Sequence, residues 1–175
     1  MHILIIYDSV FGNTERIARS IGRAMTALAV SPAKDVEILR PEEVKLEHLA
    51  GMRLLVVGSP TRAFRPTAEV KKFLRGIPRN GLQGVKVAAF DTRISAEDIE
   101  SSIGRFFVRL FGFAAGPIMK GLIKKQGEPA IPPEGFLVEG TKGPLKNGEL
   151  ERAADWARRI MRMGDIGSAV TGEST

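Results

Sequence analysis

Short apolar runs alternate with longer amphipathic stretches along this chain, the pattern of strands joined by helical crossovers into a parallel sheet. Ile3 to Tyr7 is apolar throughout, as a strand covered on both faces must be. After it Ile17, Ile21, Ala24, Met25 and Leu28 recur at helical spacing, with Glu15, Arg16, Arg19 and Arg23 between them; this predicts an amphipathic helix. Val36 to Leu39 alternates like an edge strand and ends before Pro41. Leu54 to Val57 is a second fully apolar run, closed by Gly58-Ser59-Pro60. A helix over Thr67 to Arg75 is followed by a turn rich in Gly, Pro and Asn, then by a strand over Val85 to Phe90. Ala96 to Phe113 reads as a helix burying Ile99, Ile103, Phe106, Phe107, Leu110 and Phe111. Gly116-Pro117 breaks it before a second helical piece that reaches Lys125. Phe136-Leu137-Val138, behind Pro129, Pro132 and Pro133, predicts a short edge strand. Residues 148–163 predict a last helix carrying Leu150, Ala153, Ala154, Trp156, Ala157, Ile160 and Met161. The small, polar residues 164–175 are expected to form a flexible tail, leaving 1–163 as one domain.

Five strands with intervening helices imply a doubly wound α/β domain around a five-stranded parallel sheet. Right-handed crossovers place helices on both faces. A ligand crevice then opens beyond the carboxyl ends of the strands, where the winding reverses. With strand order 2-1-3-4-5 that crevice is bordered by Asp8 to Asn13, Ser59 to Pro66 and Asp91 to Ser95.

Composition narrows what such a crevice does. The 175 residues are 43% hydrophobic and 26% charged, an ordinary globular balance for one domain. The chain has no cysteine, which excludes disulfides, thiolate catalysis and cysteine-ligated metals, and only two histidines, which argues against a histidine-rich metal site. The N-terminus runs straight into Ile3-Leu4-Ile5-Ile6 without a basic region or cleavage site, so a cytoplasmic protein is expected. Phe106 to Ile123 is mostly apolar, but Arg109, Lys120 and Gly116-Pro117 interrupt it. A bilayer span needs about 20 nearly uncharged residues, so this stretch reads as core. The phenylalanines 106, 107, 111 and 113 within it would also suit a homo-oligomer contact. The net charge is +6, but Lys and Arg are spread along the chain and aromatics are only 6%. Nucleic-acid binding wants clustered basic residues interleaved with aromatics, and is not expected.

The first bordering loop offers Ser9, Asn13 and Thr14 as short polar groups. Gly12 permits close backbone approach, and the unpaired N–H groups of a helix N-terminus follow. That set suits a phosphate monoester held by neutral donors. The loop has neither Gly-x-Gly-x-x-Gly nor the Walker lysine, which disfavours dinucleotides and excludes a P-loop. The stretch Ile5-Ile6-Tyr7-Asp8-Ser9-Val10-Phe11-Gly12-Asn13-Thr14 resembles the phosphate-loop signature of the flavodoxin family, a hydroxyl residue followed by x-x-Gly-Asn-Thr. Gly58-Ser59-Pro60-Thr61 and the Pro133 to Leu145 region are also similar to flavodoxin-like proteins. The resemblance implies a flavodoxin-like fold holding FMN, with the phosphate on Ser9, Val10, Phe11, Gly12, Asn13 and Thr14. The flavin ring would lie between the other two loops.

Ser59-Pro60-Thr61-Arg62-Ala63-Phe64 is similar to the Pro-Thr-Arg loop of flavodoxin-like NAD(P)H:quinone reductases, where it lies along the flavin. Thr61 would then hydrogen-bond the ring or ribityl chain, with Arg62 or Phe64 stacked on it. The third loop, Asp91-Thr92-Arg93, departs from both groups: it has neither the stacking tyrosine of flavodoxins nor the glycine-rich segment of the reductases. Arg62, Arg65 and Arg93 near the ring would favour its negatively charged reduced form, so a couple less negative than in acidic flavodoxins is expected. The favoured reading is an electron carrier between redox partners, with a basic docking surface selecting an acidic redox protein. The alternatives are an FMN-dependent NAD(P)H reductase of quinone-like acceptors, or a flavin-free interaction module.

Overall fold

The computed structural model describes residues 2–28, 35–95, 102 and 113–165. The chain runs β1 (His2–Tyr7), α1 (Asn13–Ala27) and β2 (Asp35–Leu39), then a 3-10 turn at Pro41–Glu43 and the short α2 (Leu46–Leu49). It continues through β3 (Met52–Pro60), α3 (Ala68–Gly76), β4 (Lys86–Ile94) and α4 (Ala115–Ile123). Two short strands, β5 (Glu128–Pro129) and β6 (Glu134–Val138), and α5 (Glu149–Asp165) complete it. All strand pairings are parallel, in the order β2-β1-β3-β4-β5.

The fifth position is built from two pieces, where the sequence predicts one short strand. β5 pairs with Lys86 and Val87 at the start of β4, and β6 pairs with Phe90 to Ile94 at its end. Pro132 and Pro133 have no N–H to give a ladder, so the strand breaks between the pieces.

Alternation along each buried strand decides which helices cover it. Ile3, Ile5, Leu54, Val56, Ala88 and Phe90 face α1 and α5, meeting Ile17, Ile21, Met25, Trp156 and Ile160. Leu4, Ile6, Leu55, Val57, Val87 and Ala89 face α3 and α4, meeting Val70, Leu74, Ile118 and Leu122. Thr67 caps α3, its hydroxyl accepting from Val70 N at 3.5 Å. Gly58 is required by packing: a Cβ there would run into the Phe90 ring, which itself stands edge-on to Phe136 and Trp156.

Gly164 and Asp165, from the tail expected over 164–175, instead end α5. Residues 166–175 of that tail and the helix expected over 96–113, apart from Ser102 and Phe113, lie outside the described residues. Phe106, Phe107 and Phe111, expected as core or oligomer contact, lie there too. No helix among the described residues is long and apolar enough to cross a membrane.

Candidate functional site

The carboxyl ends of β1, β3 and β4 open on one crevice of about 180 Å³. It is lined by Val10, Phe11, Asn13, Thr14, Pro60 to Ala63, Thr92 to Ile94, Val138 and Thr141. The loops after β1 and β3 thus meet as the topology demands. The third wall differs: β4 does not end at Phe90 but runs to Ile94, so Asp91, Thr92 and Arg93 are strand residues. The ladder with β6 holds them there, pairing Asp91 with Gly135 and Arg93 with Leu137.

At the first loop, Gly12 stands at the N-cap of α1 with φ 84°, and no side chain caps the helix. A residue with a Cβ resists that conformation. The three side chains read alike in the sequence now differ. Thr14 Oγ1 is buried 2.8 Å from Thr92 Oγ1, tying α1 to β4. Asn13 Nδ2 donates to the Lys142 carbonyl at 3.0 Å. Ser9 Oγ is shut off from solvent and has no hydrogen-bond partner, though a buried hydroxyl is normally paired. An unpaired hydroxyl beside an uncapped helix N-terminus is the donor set a phosphate ester accepts from. Val10 and Phe11 stay exposed.

Ser59 is fully buried and serves the fold: its Oγ accepts from Thr67 N at 3.0 Å and lies 3.0 Å from the Pro60 carbonyl. Thr61 N donates to Thr92 O at 2.9 Å, and Thr61 Oγ1 accepts from Ala114 N at 2.9 Å. Beyond it Arg62 and Arg65 exchange backbone hydrogen bonds of 3.0 and 2.9 Å around a two-residue turn. Its central residues, Ala63 and Phe64, have φ 45° and 64°. That is a reverse turn normally given to Asn-Gly. Two residues with side chains hold it here.

A second chamber of about 240 Å³ adjoins the first, sharing Thr61, Ala63, Arg93 and Ile94 and adding Phe64 and Phe113. The first chamber has Val10, Phe11, Asn13 and Thr14 of the first loop in its wall. The other is walled by two aromatic rings, and together they reach the size of small-molecule sites, roughly 300–1,000 Å³.

Arg93 is held on every side. Its Nε and Nη2 donate to the two Asp91 carboxylate oxygens at 2.5 and 2.8 Å, and its Cζ lies 4.0 Å from the centre of the Phe113 ring. Gly135 leaves room for it, since a Cβ there would overlap the guanidinium. Asp91 is completely buried and also accepts Ala115 N at 2.7 Å. Burial pushes its carboxyl above the usual range, while Arg93, the Ala115 N–H and Thr61 pull it back down. The three arginines expected around the ring are therefore not equivalent. Arg93 is neutralised by Asp91, and Arg65 lines neither chamber. Arg62 lines the first chamber, 5.9 Å from the Phe11 ring centre, with no carboxylate partner among the described residues.

Sequence reasoning missed Ile94, Phe113, Val138 and Thr141. Ile94 falls inside the expected third loop, and Phe113 ends the helix expected over 96–113. Thr141 belongs to the turn after β6, where Gly143 has φ 97° and leaves room for Asn13. The glycines of Gly140-Thr141-Lys142-Gly143 were the available signal. A roomier cavity of about 330 Å³ lies away from the crevice, between residues 41–49 and α3. Val44, Leu49, Phe73 and Ile77 give it an apolar floor.

No protein-family model matches the chain, and no curated protein matches it. Among solved structures, a flavodoxin from the domain Archaea superposes with TM-score 0.72 at 22% identity, over 94% of this chain and 99% of its own. Flavodoxin 1 from Bacillus cereus gives 0.72 at 15% identity, over 93% and 98%. Rubredoxin oxygen:oxidoreductase from Desulfovibrio gigas gives 0.71 at 17% identity, over 97% of this chain and 37% of that one. Strand order, crevice position and full-length superposition agree: this chain has the flavodoxin-like fold.

Proposed function

We propose that the chain binds FMN in the two-chamber crevice and carries electrons between redox proteins. The observation that carries this reading is the buried, unpartnered Ser9 hydroxyl beside the uncapped N-terminus of α1. Its neighbours Val10 and Phe11 line the first chamber, and Phe64 and Phe113 wall the second. Ser9, the loop 10–12 and the first N–H groups of α1 would hold the phosphate. Thr61 to Phe64, Arg93 and Phe113 would border the ring. Bound FMN supplies one- and two-electron redox chemistry; the protein supplies position, charge and access.

Each residue group has a part in that. The neutral donor set binds a phosphate without a lysine, which limits the positive charge at that end of the site. The Thr14–Thr92 and Thr61–Thr92 hydrogen bonds fix the two walls relative to each other. Arg62 brings positive charge to the crevice that no carboxylate offsets among the described residues, and opposite charge favours a reduced, anionic ring.

The test is a visible-spectrum titration with FMN, followed by NADH or NADPH. Tight binding with a perturbed flavin spectrum, and no bleaching by either nucleotide, is the expected result. Rapid bleaching would replace the carrier by a nicotinamide-dependent reductase. A colourless protein at saturating FMN would sink both readings.

A further inference from the structure

We infer that the seam between α3 and α4 is a basic docking ridge for an acidic electron-transfer protein, an inference that rests on the carrier reading above. The two helices lie side by side: a Cβ at Gly121 of α4 would stand 3.3 Å from Leu74 Cδ1 of α3. Lys71 and Arg75 flank Leu74 on α3, and Lys120 and Lys124 flank Gly121 at the end of α4; all four are exposed. None forms an ion pair among the described residues. Each helix thus places two cations at i and i+4, where like charges repel.

The opposite face of the sheet is arranged otherwise. There Glu15 pairs with Arg19 at 2.8 Å, Glu149 with Arg152 at 2.7 Å, and Asp155 with Arg158. Among the described residues these three pairs offset charges on α1 and α5, although Arg16 and Arg23 of α1 stay outside them, while Lys71, Arg75, Lys120 and Lys124 pair with no carboxylate. Such a surface favours a negatively charged partner by complementarity, with fast, salt-sensitive association.

The ridge also leads to the chambers. Ala114 and Ala115 at the start of α4 bond to Thr61 and Asp91, and Arg65 stands three residues before α3. At 1.5 Å rise per residue, Lys71 and Lys120 lie about 5–8 Å down their helices from that end. A partner seated on the seam reaches the crevice that Arg62 lines. A lipid surface is disfavoured because Ile123 is the one large apolar side chain exposed on these two helices. Nucleic acid is disfavoured because no aromatic residue is exposed beside the cations.

The experiment is an NMR titration of the isotope-labelled chain with an acidic [2Fe–2S] ferredoxin. It is run at about 20 and about 200 mM salt, which spans a roughly threefold change in screening length. The native chain is compared with K71E/R75E/K120E/K124E and with the four-glutamine version, which keeps the helices free of new repulsion. Shifts confined to α3, α4 and residues 61–66, with affinity about tenfold or more weaker in the reversed variant, are expected. No binding at low salt, binding undiminished by charge reversal, or shifts elsewhere would overturn the ridge. So would stronger, variant-sensitive binding to phosphatidylserine vesicles or a single-stranded oligonucleotide. FMN titration of each protein separates the two readings. Unchanged flavin affinity with unchanged ferredoxin binding refutes the ridge alone. A native chain that takes no flavin refutes the carrier, while the ferredoxin titration still reports on the ridge.

Discussion

Replacing Arg93 by Met should destabilise the protein strongly at neutral pH and much less in acid. The substitution keeps an apolar stem against Phe113 but removes the two donors on the Asp91 carboxylate. Asp91 has no exposed side-chain surface, and Arg93 is only 20% exposed, so little water can take the place of the guanidinium. Two unit charges about 4 Å apart attract by about 4 kcal/mol at an effective dielectric of about 20. Breaking a buried pair by removing one partner typically costs about 3–5 kcal/mol. For a chain of this size that corresponds to a fall in Tm of about 6–20 °C. The Ala115 N–H still bonds the carboxylate, which places the loss toward the lower half of that range.

The pH dependence fixes the mechanism. Burial already raises the Asp91 carboxyl in the folded protein, against about 3.9 in an unfolded chain. A raised folded pKa means the folded state holds the proton more tightly. Its stabilising contribution is therefore full below the unfolded value and is lost as pH rises through the folded one. Removing Arg93 takes away the strongest opposing influence, so that loss grows and extends to higher pH. Urea unfolding of the native chain, R93M and D91N/R93M between acid and neutral pH is the assay. R93M should recover stability on acidification, and the double variant should recover most of it at pH 7. An R93M protein within 1 kcal/mol of native at pH 7 (roughly the scatter of surface changes), or a penalty independent of pH, would refute the reasoning.

Three further outcomes follow from the same geometry. Ser9→Ala should leave the flavin-free protein as stable as native or slightly more so, because the hydroxyl has no partner to lose. It should weaken FMN binding about 10–100-fold, the worth of one hydrogen bond to a charged group; unchanged affinity by fluorescence titration would remove Ser9 from the phosphate site. Gly58→Ala should cost about 1–3 kcal/mol or more in denaturant melts, because the Phe90 ring it displaces is wedged against Phe136 and Trp156. Ala63→Gly should raise the thermal midpoint, relieving about 1 kcal/mol of left-handed backbone strain at φ 45°; a lowered midpoint would show that the turn is not strained.

The layer order of this fold was legible because two-sided burial writes itself as unbroken apolar runs. Ile3 to Tyr7 and Leu54 to Val57 read as strands, and both are buried strand residues. The βα loop at Ser9 to Thr14 was legible for the same reason, lying between a strand and an amphipathic helix. The split fifth strand was not. β5 has only two residues, and its identity rests on Glu128 N and Ala130 N donating to Val85 O and Val87 O, contacts distant in sequence. The wall formed by Thr141 and Lys142 was hidden likewise, since the hydrogen bond that places it joins residues 129 apart.

The sequence shows the third wall as a loop because the apolar run stops at Phe90 and charged Asp91 and Arg93 follow, whereas β4 runs on to Ile94. In a strand, residues i and i+2 point to one face, so Asp91 and Arg93 on a continued β4 become neighbours rather than two solvated ends. That alternative was written in the sequence as opposite charges two apart, with Ile94 continuing the apolar pattern. Choosing between the readings changes the electrostatics of the site. As loop residues they would give a free cation beside the ring; as strand residues they give an ion pair with no net charge. Any shift of flavin potential toward the reduced, anionic form then falls chiefly to Arg62, which lines the crevice without a carboxylate among the described residues. Arg93, bonded to Asp91 and stacked on Phe113, gives the second chamber its shape.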